Sequence, residues 1–203
     1  MGYVFVMAFS YVLGSSSMAF YLSRLRKTDI RSLGTGNLGA SNTTILLGWW
    51  AGILVALHDI GKAALAVLLA KLLFPTLPFI GIVAGVSSVL GHIFPFYLKF
   101  RGGKGFASFW GMTLALNWKL AFAIAVIALL ITLITDYIAL ATTATAVLVP
   151  IHLSFAERSF VPLLIILIAS SVVVFKHRDN YRRIFRGEEI GLRSTMKGEK
   201  RIK

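Results

Sequence analysis

The chain has 203 residues, 57% of them hydrophobic and 14% charged, with a mean hydropathy of +0.80; soluble domains hold roughly 45–50% apolar and 25% charged residues. No cysteine occurs, which excludes a disulfide framework, catalysis through an acyl-thioester, and cysteine-based metal or iron–sulfur sites. The formal charge of +13 comes from 21 Lys and Arg set in short stretches between apolar runs, a distribution that argues for membrane topology and phosphate ligation and against a nucleic-acid face.

In chain order, the apolar runs that suit a membrane helix are Tyr3 to Leu22, Gly52 to Leu73, Phe79 to Leu98, Leu120 to Thr135, Ile138 to Phe155 and Phe160 to Phe175. Such a helix needs roughly 17–25 apolar residues. The first run has little basic sequence before it and contains Gly14, Ser15, Ser16 and Ser17, so it reads as a span and not as a cleaved signal. A shorter run between Phe106 and Trp118 reads as a thin span. Basic residues follow the first span (Arg24, Arg26, Lys27, Arg31), the third (Lys99, Arg101, Lys104) and the last (Lys176 onward). Positive charge marks the cytoplasmic side, and alternation then requires seven crossings. The prediction is an all-α integral membrane protein of about seven transmembrane helices, amino terminus outside and carboxyl terminus cytoplasmic. No repeat or linker divides it, so residues 1–203 read as a single membrane domain with a basic cytoplasmic tail at 176–203.

The first cytoplasmic loop contains Gly34-Thr35-Gly36-Asn37-Leu38-Gly39-Ala40-Ser41-Asn42, which includes Gly-x-Gly-x-x-Gly. A dinucleotide fold would place that fingerprint between a strand and a helix, whereas here it follows a membrane helix and a basic stretch. What remains is the physics of anion capture. Glycines let backbone N–H groups converge, the hydroxyl and amide side chains add donors at a helix start, and Arg24, Arg26 and Arg31 flank the loop. A short interfacial helix is expected from Leu38 to Trp50. The alternative is a capped flexible loop.

The second loop, Gly91 to Ser108, carries Arg101-Gly102-Gly103-Lys104-Gly105 ahead of Ser108. Walker A spacing is absent, but glycines around a lysine at a helix start form a second candidate anion site. Topology alone would explain the charges but not the three glycines among them. His92, near the end of the third span, reads by itself as a packing group. Asp59 and Lys62 lie three apart within the second span, where a lone charge costs roughly 2.5–3.5 kcal/mol, so they are expected to pair, either to orient ligands or the basic loop or as a structural ion pair. In the tail, His177, Asn180 and Arg183 share a helical face; the alternative is a solvated basic segment drawn to anionic lipid.

Together these segments resemble the bacterial acyl-phosphate:glycerol-3-phosphate acyltransferases over nearly the whole chain. The family's Gly-Ser-Gly-Asn-x-Gly-Ala-Thr-Asn appears as Gly34 to Asn42, preceded by Asp29 and Arg31, its Asp-x-x-Lys as Asp59 and Lys62, its Gly-His-x-Phe-Pro as Gly91 to Pro95, its Lys-Gly-Gly-Lys-Gly as Arg101 to Gly105, and its His-x-x-Asn-x-x-Arg as His177, Asn180 and Arg183. Thr35, Ser41 and Arg101 depart from the pattern but keep a hydroxyl or a charge. After Tyr137 the family's Ser-Ser-Leu is Ile138-Ala139-Leu140, with Thr142 and Thr143 as substitutes.

The resemblance implies acyl transfer from acyl phosphate to the sn-1 hydroxyl of glycerol 3-phosphate at the cytoplasmic face of the bacterial inner membrane, giving lysophosphatidic acid and phosphate. Neither coenzyme A nor acyl carrier protein would serve as direct donor, and no cofactor or metal is implied. The phosphate-binding residues it implies are Thr35, Gly36, Asn37, Gly39, Ser41, Asn42, Arg101, Gly102, Gly103, Gly105 and Ser108, with Arg31, Asp59, Lys62, His92 and Arg183 in support. Lys104 would stabilise developing charge and Asn180 would position substrate. His177 is one candidate base and the acyl phosphate's own phosphate the other. The competing class is a transporter of a phosphorylated metabolite, in which binding near the midplane by paired broken helices is the usual arrangement.

Overall fold

The computed structural model describes residues 1–196, and every regular element in them is helical. The helices are α1 (Gly2–Ser15), α2 (Met18–Leu25), α3 (Ala40–Leu47), α4 (Trp49–Leu73), α5 (Ile80–Ile93), α6 (Phe106–Leu116), α7 (Trp118–Thr135), α8 (Ile138–Ala156), α9 (Val161–Lys176), α10 (Arg178–Phe185) and α11 (Leu192–Met196), with a 3₁₀ turn at Phe96–Leu98. They gather into two compact units, Met1–Asn117 and a second that begins at Trp118.

The burial pattern is that of a bundle solvated by lipid. On α4 the large Leu54, Leu57, Leu65, Leu68 and Leu72 are exposed, while Gly52, Asp59, Lys62, Ala63, Ala66 and Ala70 face inward. Hydrocarbon supplies no hydrophobic drive between helices, so contact relies on small residues that let backbones approach. Three glycines show this. A side chain at Gly14 would run into the Ser88 backbone of α5, one at Gly91 into the Tyr11 carbonyl of α1, and one at Gly111 of α6 into the Ile60 carbonyl of α4.

Each of the seven expected apolar runs is helical. Five segments are long enough alone, Gly2–Leu25, Trp49–Leu73, Ile80–Leu98, Trp118–Thr135 and Ile138–Ala156, and Val161–Lys176 continues into Arg178–Phe185 through a 42° bend. The 11 residues of α6 rise about 16 Å, roughly half the hydrocarbon thickness, so α6 is shorter than the roughly 17–25 residues a full crossing needs.

The first span differs from its expected form, because it breaks at Ser16 and Ser17, between α1 and α2. A break frees backbone groups that lipid cannot satisfy. Here Lys62 Nζ donates to the Ser16 carbonyl at 2.6 Å, Tyr97 donates its hydroxyl to the Ser15 carbonyl at 3.0 Å, and the Ser17 hydroxyl accepts the Phe20 N–H at 3.3 Å. Apolar sequence therefore continues through a kink that polar side chains from α4 and the 3₁₀ turn sustain.

In the second unit, α8 packs on both α7 and α9. Pro150 lies inside α8 and leaves the Ala146 carbonyl without its usual donor. Asp136, at a left-handed φ of 72°, turns the chain from α7 into α8.

Candidate active site

Two hydrophobic residues, Ile30 and Leu38, anchor the first loop in a buried cluster with Ala19, Val55 and Leu98. Between them Gly34 and Gly36 take left-handed φ values of 59° and 69°, which side chains bearing Cβ rarely adopt. The loop closes around Asn42, which is fully buried. Its Oδ1 accepts the Thr35 N–H at 2.8 Å, and its Nδ2 donates to the carbonyls of Ile30, Leu33 and Asn37 at 3.0, 3.3 and 3.0 Å. This corrects the expectation for Asn42: its polar atoms are turned into the loop, so it shapes the site and does not offer a ligand to phosphate. The Gly36 N–H is likewise donated to the Leu33 carbonyl at 3.0 Å.

The loop leads to the amino end of α3, shorter than the expected 38–50 because Gly48, at φ 91°, ends it before α4. Gly39 caps α3 without a side-chain hydrogen bond, so the first-turn N–H groups of Ala40 and Ser41 have no acceptor within the helix. Asn37 Nδ2 donates to the Thr35 hydroxyl at 3.3 Å. Outside the loop, Arg31 binds Asp29 through Nε at 3.0 Å and Nη2 at 2.8 Å. These bonds, with the Arg31 backbone N–H, hold the Asp29 carboxyl down to about 2 and raise the Arg31 guanidinium.

In the second loop the Gly102 N–H is donated to the Ile93 carbonyl at 3.1 Å and the Gly103 N–H to the His92 carbonyl at 3.3 Å. These two donors, expected to face an anion, instead fasten the loop to the end of α5. The glycines are required by close approach. A Cβ on Gly102 would overlap the His92 carbonyl and lie 2.6 Å from Pro95 Cδ; one on Gly103 would overlap His92 Nε2 and lie 3.2 Å from the Leu38 carbonyl. Gly103 is thus where the two loops meet. Lys99 and Phe100 precede the glycines with left-handed φ values of 54° and 58°, and Gly105, at φ 98°, caps α6. The donors left for an anion are the first N–H groups of α6, at Phe106, Ala107 and Ser108, beside Arg101 and Lys104. The buried Ser108 hydroxyl makes no hydrogen bond.

Beneath this junction lies a buried polar cluster. Lys62 Nζ is 2.7 Å from Asp59 Oδ1, which bears out the expected pair, and His92 Nδ1 stands 3.2 Å from the same oxygen and 3.0 Å from Lys62 Nζ. His58 extends the cluster, with Nε2 3.0 Å from the Ser16 hydroxyl. Its apolar neighbours hid it in the sequence, although Asp59 beside it was the signal. The His92 ring also bears on Gly103, so the cluster fixes the ring against which the second loop is laid. Among the described residues no three His, Asp or Glu side chains form a metal-ligand cluster.

The second unit holds the remaining residues. His177 is buried at the bend between α9 and α10, with Nδ1 2.8 Å from the Val173 carbonyl. A carbonyl only accepts, so Nδ1 carries a hydrogen. Asn180 and Arg183 do share a face, and both meet a carboxylate that helical spacing does not reveal. Asn180 Nδ2 lies 2.5 Å from Glu189 Oε1 and Arg183 Nε 2.6 Å from Glu189 Oε2. Both threonines considered as substitutes donate back within α8, Thr142 to the Ile138 carbonyl and Thr143 to the Ala139 carbonyl, each at 3.0 Å, and the Thr143 hydroxyl also lies 2.6 Å from the Tyr181 hydroxyl. Residues 197–203 of the expected tail lie outside the described residues.

Residues 4–187 match the family model described as glycerol-3-phosphate acyltransferase. A relative of that name from Prochlorococcus marinus (strain MIT 9301) is 35% identical over 190 residues, covering 92% of this chain and 96% of its own. A crystal structure of PlsY, an integral membrane glycerol 3-phosphate acyltransferase, in its glycerol 3-phosphate form aligns with a TM-score of 0.89 at 29% identity, over 97% of this chain and 98% of that one. The lysophosphatidic acid form aligns with a TM-score of 0.84, also at 29% identity, over 94% and 95%.

Proposed function

Because the chain belongs to the glycerol-3-phosphate acyltransferase family, we propose that this multi-pass membrane acyltransferase moves a fatty acyl group from acyl phosphate to the sn-1 hydroxyl of glycerol 3-phosphate. The products are lysophosphatidic acid and phosphate. Coenzyme A and acyl carrier protein are not direct donors, and no cofactor or metal takes part. The chain crosses the bacterial inner membrane seven times, amino terminus outside, as a single domain with its basic loops and tail in the cytoplasm.

The observation that carries the reading is the junction at Gly103 and Leu38. It sets two glycine-and-base loops side by side, each ending at a helix start without a side-chain cap. Two uncapped helix starts suit a reaction whose donor and acceptor both carry phosphate. Thr35, Asn37, Gly39 and Ser41 serve the α3 site with Arg31; Arg101, Lys104, Gly105 and Ser108 serve the α6 site. Gly36, Asn42, Gly102 and Gly103 shape these sites from within, supported by Asp59, Lys62 and His92.

In the transfer, the acceptor oxygen bonds to the acyl carbon, the bond from that carbon to the phosphate oxygen breaks, and the acceptor's proton passes to a base. That base is either His177, whose Nδ1 is turned to the Val173 carbonyl, or the departing phosphate itself. Lys104 and the α6 N–H groups neutralise the charge that grows on the phosphate, and Asn180 positions the acceptor.

The test uses purified protein in lipid, labelled glycerol 3-phosphate and palmitoyl phosphate, with palmitoyl-CoA as the control donor. Lysophosphatidic acid formed from acyl phosphate alone supports the reaction and the donor class together. Product from palmitoyl-CoA overturns the donor assignment, and no product from either donor in folded protein turns the reading toward transport, to be followed by a flux assay.

A further inference from the structure

After α10 the chain reverses at Gly187, φ 68°, where the Gly187 N–H bonds the Ile184 carbonyl at 3.0 Å and the Glu188 N–H the Arg183 carbonyl at 2.8 Å. Glu189 then meets Asn180 and Arg183. A carboxylate only accepts hydrogen bonds, so Asn180 must point its amino group at Glu189 and turn its carbonyl oxygen away.

The next residues are tied to a distant turn. Asp136, between α7 and α8, accepts the Leu192 N–H on its backbone carbonyl at 2.9 Å and the Arg193 N–H on Oδ1 at 2.8 Å. The Arg193 guanidinium donates to the Leu133 carbonyl at 2.7 Å, one of the last four carbonyls of α7, where a cation is also favoured by the helix dipole. Gly191 sits so tightly on this turn that a Cβ would collide with the Asp136 carboxylate. The sequence separation is 57 residues, so this is a tertiary latch and not a local cap.

We propose that Asp136 is a positioning residue for the acyl transfer: by latching residues 191–193 it holds Glu189 in place, and Glu189 in turn fixes the sense in which Asn180 presents its amide. The inference rests on the assignment of Asn180 to the site made above. Asp136 touches no substrate in this scheme and acts only through Glu189.

The experiment compares Asp136→Ala, Asp136→Asn, Glu189→Ala and the Asp136→Ala/Glu189→Ala double variant of the full-length protein in lipid, with glycerol 3-phosphate and palmitoyl phosphate. Asp136→Ala is expected to lower kcat about tenfold with the KM for palmitoyl phosphate unchanged. Asp136→Asn, whose Oδ1 still accepts the Arg193 N–H, is expected to restore it. Residues joined in one network do not act additively, so Asp136→Ala should cost nothing further in the Glu189→Ala background. Leu192→Pro is a second handle, because proline is tolerated at the first helical position and removes only the N–H bonded to the Asp136 carbonyl; it should lower kcat in the same manner. Hydrogen exchange gives a readout independent of turnover, with amides 187–190 expected to exchange at least fivefold faster in Asp136→Ala. Wild-type kcat in Asp136→Ala, equal losses in the Asn and Ala variants, or additive losses in the double variant would overturn the positioning role. Unchanged exchange at 187–190 would overturn the latch itself. A wild-type protein that transfers no acyl group would instead defeat the underlying functional reading, leaving the exchange result to stand or fall alone.

Discussion

Gly103→Ala adds one methyl group at the point where both loops and the buried cluster converge. The new Cβ would overlap His92 Nε2, lie 2.6 Å from His92 Cε1 and reach to 3.2 Å from the Leu38 carbonyl. Relief by rotating the ring is blocked, because His92 Nδ1 is engaged by Asp59 at 3.2 Å and Lys62 at 3.0 Å. Overpacking of this kind costs about 1–3 kcal/mol, and the loop, rather than the buried ring, is the part that yields. A displacement near 1 Å costs catalysis roughly 100-fold. The variant should therefore remain folded and lose about 100-fold in kcat/KM, measured by lysophosphatidic acid formation from labelled glycerol 3-phosphate. Gly61→Ala is the control: a Cβ there meets nothing within 4 Å, and Gly61 lies inside α4, where alanine is the better helix former. Wild-type kcat/KM in Gly103→Ala would refute the claim that this contact sets the geometry of the site.

Asn42→Asp replaces the amino group that serves the Ile30, Leu33 and Asn37 carbonyls with an acceptor. Each buried group left unsatisfied costs about 1–3 kcal/mol, so the KM for glycerol 3-phosphate should rise at least tenfold, and an unchanged KM would contradict the loop-shaping role. Asp59→Asn leaves Lys62 without its charged partner and should destabilise by about 3–5 kcal/mol in thermal unfolding, whereas Asp59→Asn/Lys62→Met, with neither charge buried, should recover most of that loss. Asp29, depressed to about 2 by Arg31, contributes fully above its ordinary value near 4 and loses its contribution only as pH falls through about 2. Asp29→Asn should therefore leave the shape of the activity profile between pH 6 and 9 unaltered, and a shifted profile would count against this.

The seven helical runs were legible because lipid demands long apolar helices, which composition displays directly. The break at Ser16 and Ser17 was not, since the side chains that sustain it, Lys62 and Tyr97, are remote in sequence. The glycine loops were recognised as special, but which N–H groups remain for a ligand depends on tertiary bonds: Gly102 and Gly103 are spent on Ile93 and His92, and Asn42 turns inward. The pairing of Asp59 with Lys62 followed from helical spacing. Glu189 escaped because Gly187 reverses the chain, and spacing rules end where the helix does.

The Asp59–Lys62 pair also bears on how the protein enters the membrane. A charged residue at the centre of an inserting helix costs roughly 2.5–3.5 kcal/mol, yet these two sit three residues apart on one helix and can neutralise each other as soon as α4 forms. His92 lies 30 residues further on from Lys62, an interval of roughly 2–6 s at ordinary translation rates of about 5–20 residues per second. During that interval α4 can reside in lipid as a neutral dipole, its ammonium already able to reach the Ser16 carbonyl of the span made before it. Arrival of α5 then adds His92 to the pair, completing the cluster on which the second glycine loop is laid. The order of synthesis therefore gives each charge its partner within α4 before His92 joins the pair.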